Sequence, residues 1–292
     1  MSNLKKALQG GKFVVSGEIG PPKGVDIEKC LKDAEILRNQ VIAFNVTDLQ
    51  SAVLRIGSMV ISAKLLERGL EPVYQLTCRD RNRLALQSDL LSAWAFGIEN
   101  VLCLTGDHPN LGDHIQAKPV YDLDSVQLLK AASTLNQGYD MAGHELEGKP
   151  DFFLGAVVTP AADPIESQII KMQKKINAGA RFFQTQAIYE PEQFEMFMNQ
   201  AQKFNVPIMA GIVVLKSAAM AKFMNNNVAG IKVPDNLISE MEETKKEDRK
   251  KKAVEITARI IREVKPLCHG IHIMALGWDE LVPDIIEQAD LS

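Results

Sequence analysis

The sequence predicts a closed parallel (β/α)8 barrel in a single domain, residues 1–292, and three observations predict it. Eight short apolar runs recur along the chain: Phe13–Ile19, Ile42–Thr47, Val73–Cys78, Val101–Thr105, Phe152–Val158, Phe182–Ala187, Ile208–Val214 and Ile271–Leu276. The gaps between them carry helical periodicity, so strand and helix alternate throughout. A length of 292 residues suits one such barrel, which typically needs about 250, and leaves little for a second domain.

In chain order, Asp26 to Asn39 is expected to be the first helix, with Ile27, Leu31, Ala34 and Leu37 on one face. The next helix runs from about Val53 to Arg68 and stops at Gly69. Asn82 is placed to cap a helix reaching Phe96, closed by Gly97, and Asp122 or Asp124 opens another to about Asn136. Gly138 to Pro150 lacks apolar period and reads as a loop at the amino-terminal end of the barrel. Pro164 and Pro191 suit first helical turns. Ser217 to Asn225 reads as a short helix, and Gly230 to Pro234 as a short ninth strand or an extended turn. Asn236 is then expected to cap one long helix ending near Val264, before Lys265-Pro266, and a last helix spans about Asp279 to Gln288.

Apolar residues make up 46% of the chain, enough for a full core, and the net charge is −4. That balance argues against a nucleic-acid binder, which would carry a basic surplus. No run of about 18 apolar residues occurs, so no membrane span is expected. The amino terminus has no secretory apolar region. Cys30, Cys78, Cys103 and Cys268 are widely spaced without a Cys-x-x-Cys. They read as reduced thiols, and a cytoplasmic protein is expected.

Such barrels place chemistry at the carboxyl ends of their strands. Those positions hold Glu18, Thr47, Gln75, Asp107, Gln186 and the residues around Lys216. Glu18, followed by Gly20-Pro21-Pro22, suits a general acid or, equally, a buried carboxylate with a barrel partner. Thr105-Gly106-Asp107 ends the fourth strand; Gly106 permits close approach of a ligand, and Asp107 is a catalytic candidate or an ordinary turn residue. Two Asp-His pairs, Asp107-His108 and Asp113-His114, lie in a loop without a rigid element, so no metal is expected. His269 and His272 lie near the start of the eighth strand, where stability roles are favoured. Lys171, Lys174 and Lys175 share a helix face and could hold a phosphate or simply be solvated. Gln184 and Gln186 have equal strand parity; they read as a ring-amide contact or as a hydrogen-bonded interior layer.

Several stretches together resemble the methylenetetrahydrofolate reductase family over nearly the whole chain. They are Gly17-Glu18 with Pro21-Pro22, Asn45-Val46-Thr47, Leu76-Thr77-Cys78, Leu104-Thr105-Gly106-Asp107, Asn177-Ala178-Gly179-Ala180 and Thr185-Gln186, in the family's order. The resemblance implies a flavin-containing barrel that reduces 5,10-methylenetetrahydrofolate to 5-methyltetrahydrofolate. It implies Glu18 as general acid, and Asp107 as an acid near both flavin and folate. Gln186 is implied as a contact to the substrate or the nicotinamide, with Gln184 beside it. Flavin contacts are implied for Thr47, Gln75, Thr105 and Gly106, with Lys171, Lys174 and Lys175 near the phosphates. The chain departs from the family pattern at Ile19-Gly20, Gln75, Thr105 and Ser217-Ala218. FAD is the family default; those departures leave FMN open, and leave the donor open between NAD(P)H and a companion electron-transfer subunit. An oligomer is expected. The alternative class is a pterin-binding barrel that transfers a methyl group without redox chemistry.

Overall fold

The computed structural model describes residues 1–228 and 230–291. Eight parallel strands close into one barrel in sequence order. They are β1 (Val14–Ile19), β2 (Ala43–Val46), β3 (Pro72–Thr77), β4 (Asn100–Leu104), β5 (Phe153–Val158), β6 (Phe182–Ala187), β7 (Ile208–Val213) and β8 (Gly270–Met274). Pairing of Val14 with Gly270 and Ser16 with His272 closes the ring. The helices are α1 (Asn3–Gln9), α2 (Glu28–Ile36), α3 (Ser58–Glu67), α4 (Arg83–Ala95), α5 (Ser125–Gln137), α6 (Ile165–Ala178), α7 (Pro191–Ala201), α8 (Ala218–Asn227), α9 (Asp235–Glu243), α10 (Arg249–Val264) and α11 (Val282–Gln288).

The barrel interior is layered, because every second residue of a strand faces inward. The lowest layer is apolar: Val14, Ala43, Val73, Leu102, Phe153, Phe182 and Met209 form one cluster with Leu4, Ala7 and Leu8 of α1. The short helix α1 is thus a plug for the amino-terminal end. Its cap is Ser2, whose hydroxyl accepts from the Lys5 backbone N–H. Phe153 and Phe182 stack with ring centroids 4.8 Å apart. Gly155 makes room for them: a Cβ there would meet the Phe182 ring at 2.3 Å. Two residues further along the strands the interior turns polar, with Ser16, Asn45, Gln75, Gln184 and His272 all buried. Two further still lie Glu18 and Thr77, and Thr47 just past the end of β2, at the carboxyl-terminal mouth. Apolar bottom, polar middle and a polar, carboxyl-bearing top thus follow from a period of two.

The helix caps follow the sequence signals. Asn82 accepts from the backbone N–H groups of Leu84 and Ala85, and Asp124 forms a capping box with Gln127. Two expectations are corrected. The helix expected from Val53 begins only at Ser58, because residues 49–52 form an irregular turn with Leu49, Ser51 and Ala52 in the left-handed region. The long helix expected from Asn236 to Val264 is two helices, α9 and α10, with Thr244 extended between them. The break lets both apolar faces pack, Leu237, Ile238 and Met241 on α9 and Ile256, Ile260 and Ile261 on α10, while Arg259 reaches Glu240 at 2.6 Å. Residues 231–234 are extended without strand pairing. The stretch from Gly138 to Pro150 is a compact turn, in which Tyr139 bridges Glu145 and Asp140 accepts from the backbone N–H groups of Ala142 and His144.

Candidate active site

A chamber of about 420 Å³ opens at the carboxyl ends of β1 to β5. Its size lies within the usual range for small-molecule sites. Six of the residues singled out from the sequence line it: Glu18, Thr47, Gln75, Thr105, Gly106 and Asp107. A larger cleft, about 540 Å³, lies at the opposite end beside Lys6, Lys12 and Leu70. Barrels keep their chemistry at the other face, and the acids and amides gathered at the mouth favour the smaller chamber.

Glu18 is largely buried, its side chain 9% exposed, and its Oε2 lies 3.6 Å from Nε2 of His272. The other imidazole nitrogen, Nδ1, lies 3.0 Å from the Ser16 hydroxyl. Serine, histidine and glutamate therefore form a short chain across β1 and β8. His272 is 3% exposed and faces the barrel interior from the middle of β8. The sequence reading placed it at the stability end; in the register it pairs with Ser16, one inward step below Glu18. The signal was available in strand parity, since Ser16 and Glu18 share a face.

Two groups in the chamber have hydrogen-bonding capacity to spare. The Thr47 hydroxyl is fully buried with no partner among the described residues. Gln75 is 8% exposed; its backbone is used in strand pairing and by the Ser58 hydroxyl at 3.0 Å, while its side-chain amide has no hydrogen-bond partner among the described residues. A buried hydroxyl left unmatched is costly unless a ligand or water completes it. A hydroxyl beside a primary amide suits the edge of a flat heterocycle carrying adjacent N–H and C=O groups. Both a flavin pyrimidine ring and a pterin have such an edge, so these residues fit either.

Gly106 sits at φ +91°, and a Cβ there would meet Thr77 and Arg79 at 3.1 Å, so the turn into Asp107 is pressed against β3. Thr105 is partly consumed as a structural group, its hydroxyl accepting from the Ser125 backbone N–H at 3.2 Å. Asp107 is exposed at the rim. Its backbone carbonyl accepts from Arg79 Nη1 at 3.3 Å, while Nη2 of the same guanidinium donates to the Leu49 carbonyl at 3.2 Å and to Asp80 at 2.8 Å. Arg79 thereby ties the loops after β2 and β4 across the chamber. Arg81 ties the loop after β2 to α4, bridging Asp48 and Asp89 at 2.8 Å each, and Asp48 also accepts from Thr77. Sequence reasoning missed this device, although Cys78-Arg79-Asp80-Arg81-Asn82-Arg83 alternates cations at the end of a strand.

Other candidates are not brought together. Gln184 is corrected from ligand contact to interior layer: it exchanges two hydrogen bonds with Asn45, at 2.6 and 3.0 Å, and both amides are buried. Gln186 lies at a register shift between β6 and β7, half-buried, with Oε1 accepting from the Ala187 backbone N–H, and does not line the chamber. The three lysines do not converge either. Lys171 and Lys174 are exposed on α6. Lys175 alone turns inward, donating at 2.6 Å to the carbonyl of Val157, a residue of the chamber wall. Helical side chains lean toward the helix amino terminus, which here points to the mouth. Burial, with the nearby charge of Lys171, pushes the Lys175 ammonium down to about 8.

Comparison with known proteins now adds the lineage. The family model for methylenetetrahydrofolate reductase matches residues 3–290. Methylenetetrahydrofolate reductase 2 of Schizosaccharomyces pombe is 25% identical over 99% of this chain and 47% of its own length. A 5,10-methylenetetrahydrofolate reductase of Pectobacterium carotovorum is 27% identical over 80% of this chain and 74% of its own. The chain thus spans about half the length of the first of these relatives. Among solved structures, a Clostridium thermocellum protein that binds two copies of 5-methyl-5,6,7,8-tetrahydrofolic acid superposes with a TM-score of 0.67 at 17% identity, covering 99% of this chain and 98% of that one. At that identity the likeness concerns the barrel. With the family match running from the α1 plug to the end of α11, the chain belongs to the methylenetetrahydrofolate reductase family.

Proposed function

We propose that the chain is a flavin-dependent reductase of 5,10-methylenetetrahydrofolate, producing 5-methyltetrahydrofolate. One observation carries the reading: a largely buried carboxyl group, Glu18, stands at the chamber wall with the His272 imidazole 3.6 Å beneath it, itself bonded to Ser16. The relatives named for this reaction, and the folate-binding neighbour, agree with it.

The substrate's five-membered ring must open before its one-carbon unit can accept hydride. Glu18 in its acid form donates a proton to the ring nitrogen that leaves, and the one-carbon unit becomes an electrophilic iminium. His272 fixes the carboxyl orientation, and Ser16 fixes the imidazole in turn. Thr47 and Gln75 bind and orient a flat ring by its amide edge. Asp107, at the rim, accepts from donors on the pterin or the flavin. Bound flavin, FAD by family default or FMN, supplies the hydride. Lys175 offers a cation to its phosphates from behind β5. Water is excluded from below by the apolar layers of the barrel.

NAD(P)H is one source of electrons. A companion electron-transfer subunit is the other, and exposed Leu54, Leu111 and Ile115 on the loops at the mouth favour it. The four free cysteines suit the cytoplasm. The test is to purify the protein, record its visible spectrum, identify the extracted flavin, and assay folate reduction with NADH, NADPH and a reduced viologen. A colourless protein that neither flavin reconstitutes would overturn the reading in favour of non-redox methyl transfer.

A further inference from the structure

Glu18 borders a second chamber, also about 420 Å³, on the side away from the Thr47–Gln75 wall. Its lining comes from β1, α2, the loop after β2 and the loop after β8, and includes Asp33, Arg55 and Asp279. Asp279 is only 7% exposed. Among the described residues, only its own backbone N–H donates to it. The cations nearby are occupied or peripheral. Lys29 pairs with Asp33 at 2.6 Å, Lys250 with Glu280 at 2.7 Å, Lys216 donates to the Leu276 carbonyl, and Arg55 leans on the Pro21 carbonyl at 3.4 Å. Lys29 and Lys216 are close enough to act on the Asp279 charge, yet among the described residues neither pairs with it; a buried carboxyl without a paired cation is costly, so its placement on a chamber shared with Glu18 asks for a reason.

The proposed reaction supplies one, and the inference rests on that reading. Each turnover takes a proton from Glu18, and the enzyme must recover it. His272 lies 3.6 Å from Glu18 but lines neither chamber. We propose that the second chamber is the proton-return path, with Asp279 taking a proton from solvent and passing it through chamber water to Glu18. After Glu18 has protonated the folate nitrogen, it is a carboxylate. The Asp279 O–H bond breaks, its proton moves along the water, and a Glu18 O–H bond forms. The Asp279 carboxylate then takes a proton from bulk. One proton enters per turnover and no electrons move. The volume holds several waters at about 30 Å³ each, and the lining is polar enough to order them. Burial, then the adjacent Asp33 charge, push the Asp279 carboxyl up to about 6, so both of its forms are populated close to neutrality. Asp279 acts through Glu18 and does not touch the substrate.

The test is D279N, made in the flavin-loaded protein. Steady-state folate reduction with a reduced viologen as donor should slow about tenfold or more near pH 7, while the first stopped-flow turnover of pre-reduced protein, which spends the proton Glu18 already carries, keeps its rate. The limb of the wild-type pH profile near 6 should vanish. Added acetate or imidazole should restore the rate, while reduction by dithionite and affinity for 5-methyltetrahydrofolate stay unchanged. An unchanged steady-state rate, or a loss equal at every pH and deaf to added buffer, would overturn the proposal. Wild-type protein inert toward methylenetetrahydrofolate would sink the functional reading instead. Asp279 is then read by itself: its own carboxyl must titrate near 6 in carbon-13 carboxyl NMR, and a midpoint at the ordinary carboxylate value overturns the proposal.

Discussion

Nε2 of His272 lies 3.6 Å from Oε2 of Glu18, and its Nδ1 lies 3.0 Å from Ser16 Oγ, so the carboxyl group at the mouth sits directly on the barrel's polar layer. Neutral imidazole has one donor and one acceptor nitrogen, and the serine hydroxyl can serve either. Among the described residues, His272 is the charged or titratable partner within 4 Å of the Glu18 carboxyl.

Glu18→Gln keeps shape and removes the proton. Folate reduction should fall by about 10²- to 10⁴-fold, the usual worth of general acid catalysis. Reduction of the bound cofactor by an artificial donor needs no such proton and should persist. Stopped flow on one variant separates these half-reactions; an equal fall in both makes Glu18 a structural group.

His272→Gln should cost a smaller part of that factor, because the acid remains but its orientation loosens. The loss should appear in kcat with little change in KM for folate, since the imidazole does not line the chamber. A KM effect alone would place His272 in ligand binding.

Gln184→Ala tests the corrected assignment. It leaves the buried Asn45 amide without its two hydrogen bonds to Gln184, which should destabilise the fold by about 1–3 kcal/mol. Denaturant unfolding measures this, and the folate KM should barely move. A large rise in KM with unchanged stability would return Gln184 to the substrate.

Fold and chamber were legible for one reason: both follow from local period. Alternation of two within strands fixes which face each side chain takes, and strand order in a (β/α)8 barrel leaves little freedom of topology. Glu18, Thr47, Gln75 and Asp107 therefore gather as expected. His272 was misjudged because its height along β8 depends on register with β1, a tertiary quantity. Gln184 depended on whether Asn45, 139 residues away, would face it. The break between α9 and α10 was hidden because charge-rich sequence continues the helical pattern straight through it.

The lysines are separable by pH. Lys175, held at about 8 by burial and Lys171, is easier to deprotonate folded than unfolded, where its ordinary value is 10.5. Its burial cost is full below pH 8 and fades as pH rises toward 10.5, so the ligand-free protein gains stability from this group over that window. A flavin phosphate beside Lys175 would reverse the trend, because the ammonium that holds it is lost. Flavin affinity should fall between pH 7 and 9 in wild type, stay flat in Lys175→Met, and behave as wild type in Lys174→Ala. Equal effects of the two lysine variants would end the phosphate assignment.

Asp279 makes the opposite kind of demand on stability. Its carboxyl sits at about 6, above the ordinary 3.8, because burial and then Asp33 disfavour the charged form. The folded protein therefore binds this proton more tightly than the unfolded chain does. Stability is unimpaired below pH 4, declines as pH rises from about 4 to 6, and stays lowered above. A shift of that size corresponds to about 3 kcal/mol as an upper figure, which chamber water reduces. Asn in place of Asp279 has no charge to desolvate, so Asp279→Asn should raise the unfolding midpoint at pH 7–8 and change it little at pH 4. The same variant is expected to be slower in turnover, so stability and activity move in opposite directions. That divergence separates a group kept for proton movement from one kept for the fold, since a supporting carboxylate would lose both when replaced. A lower midpoint at every pH would assign Asp279 to the fold.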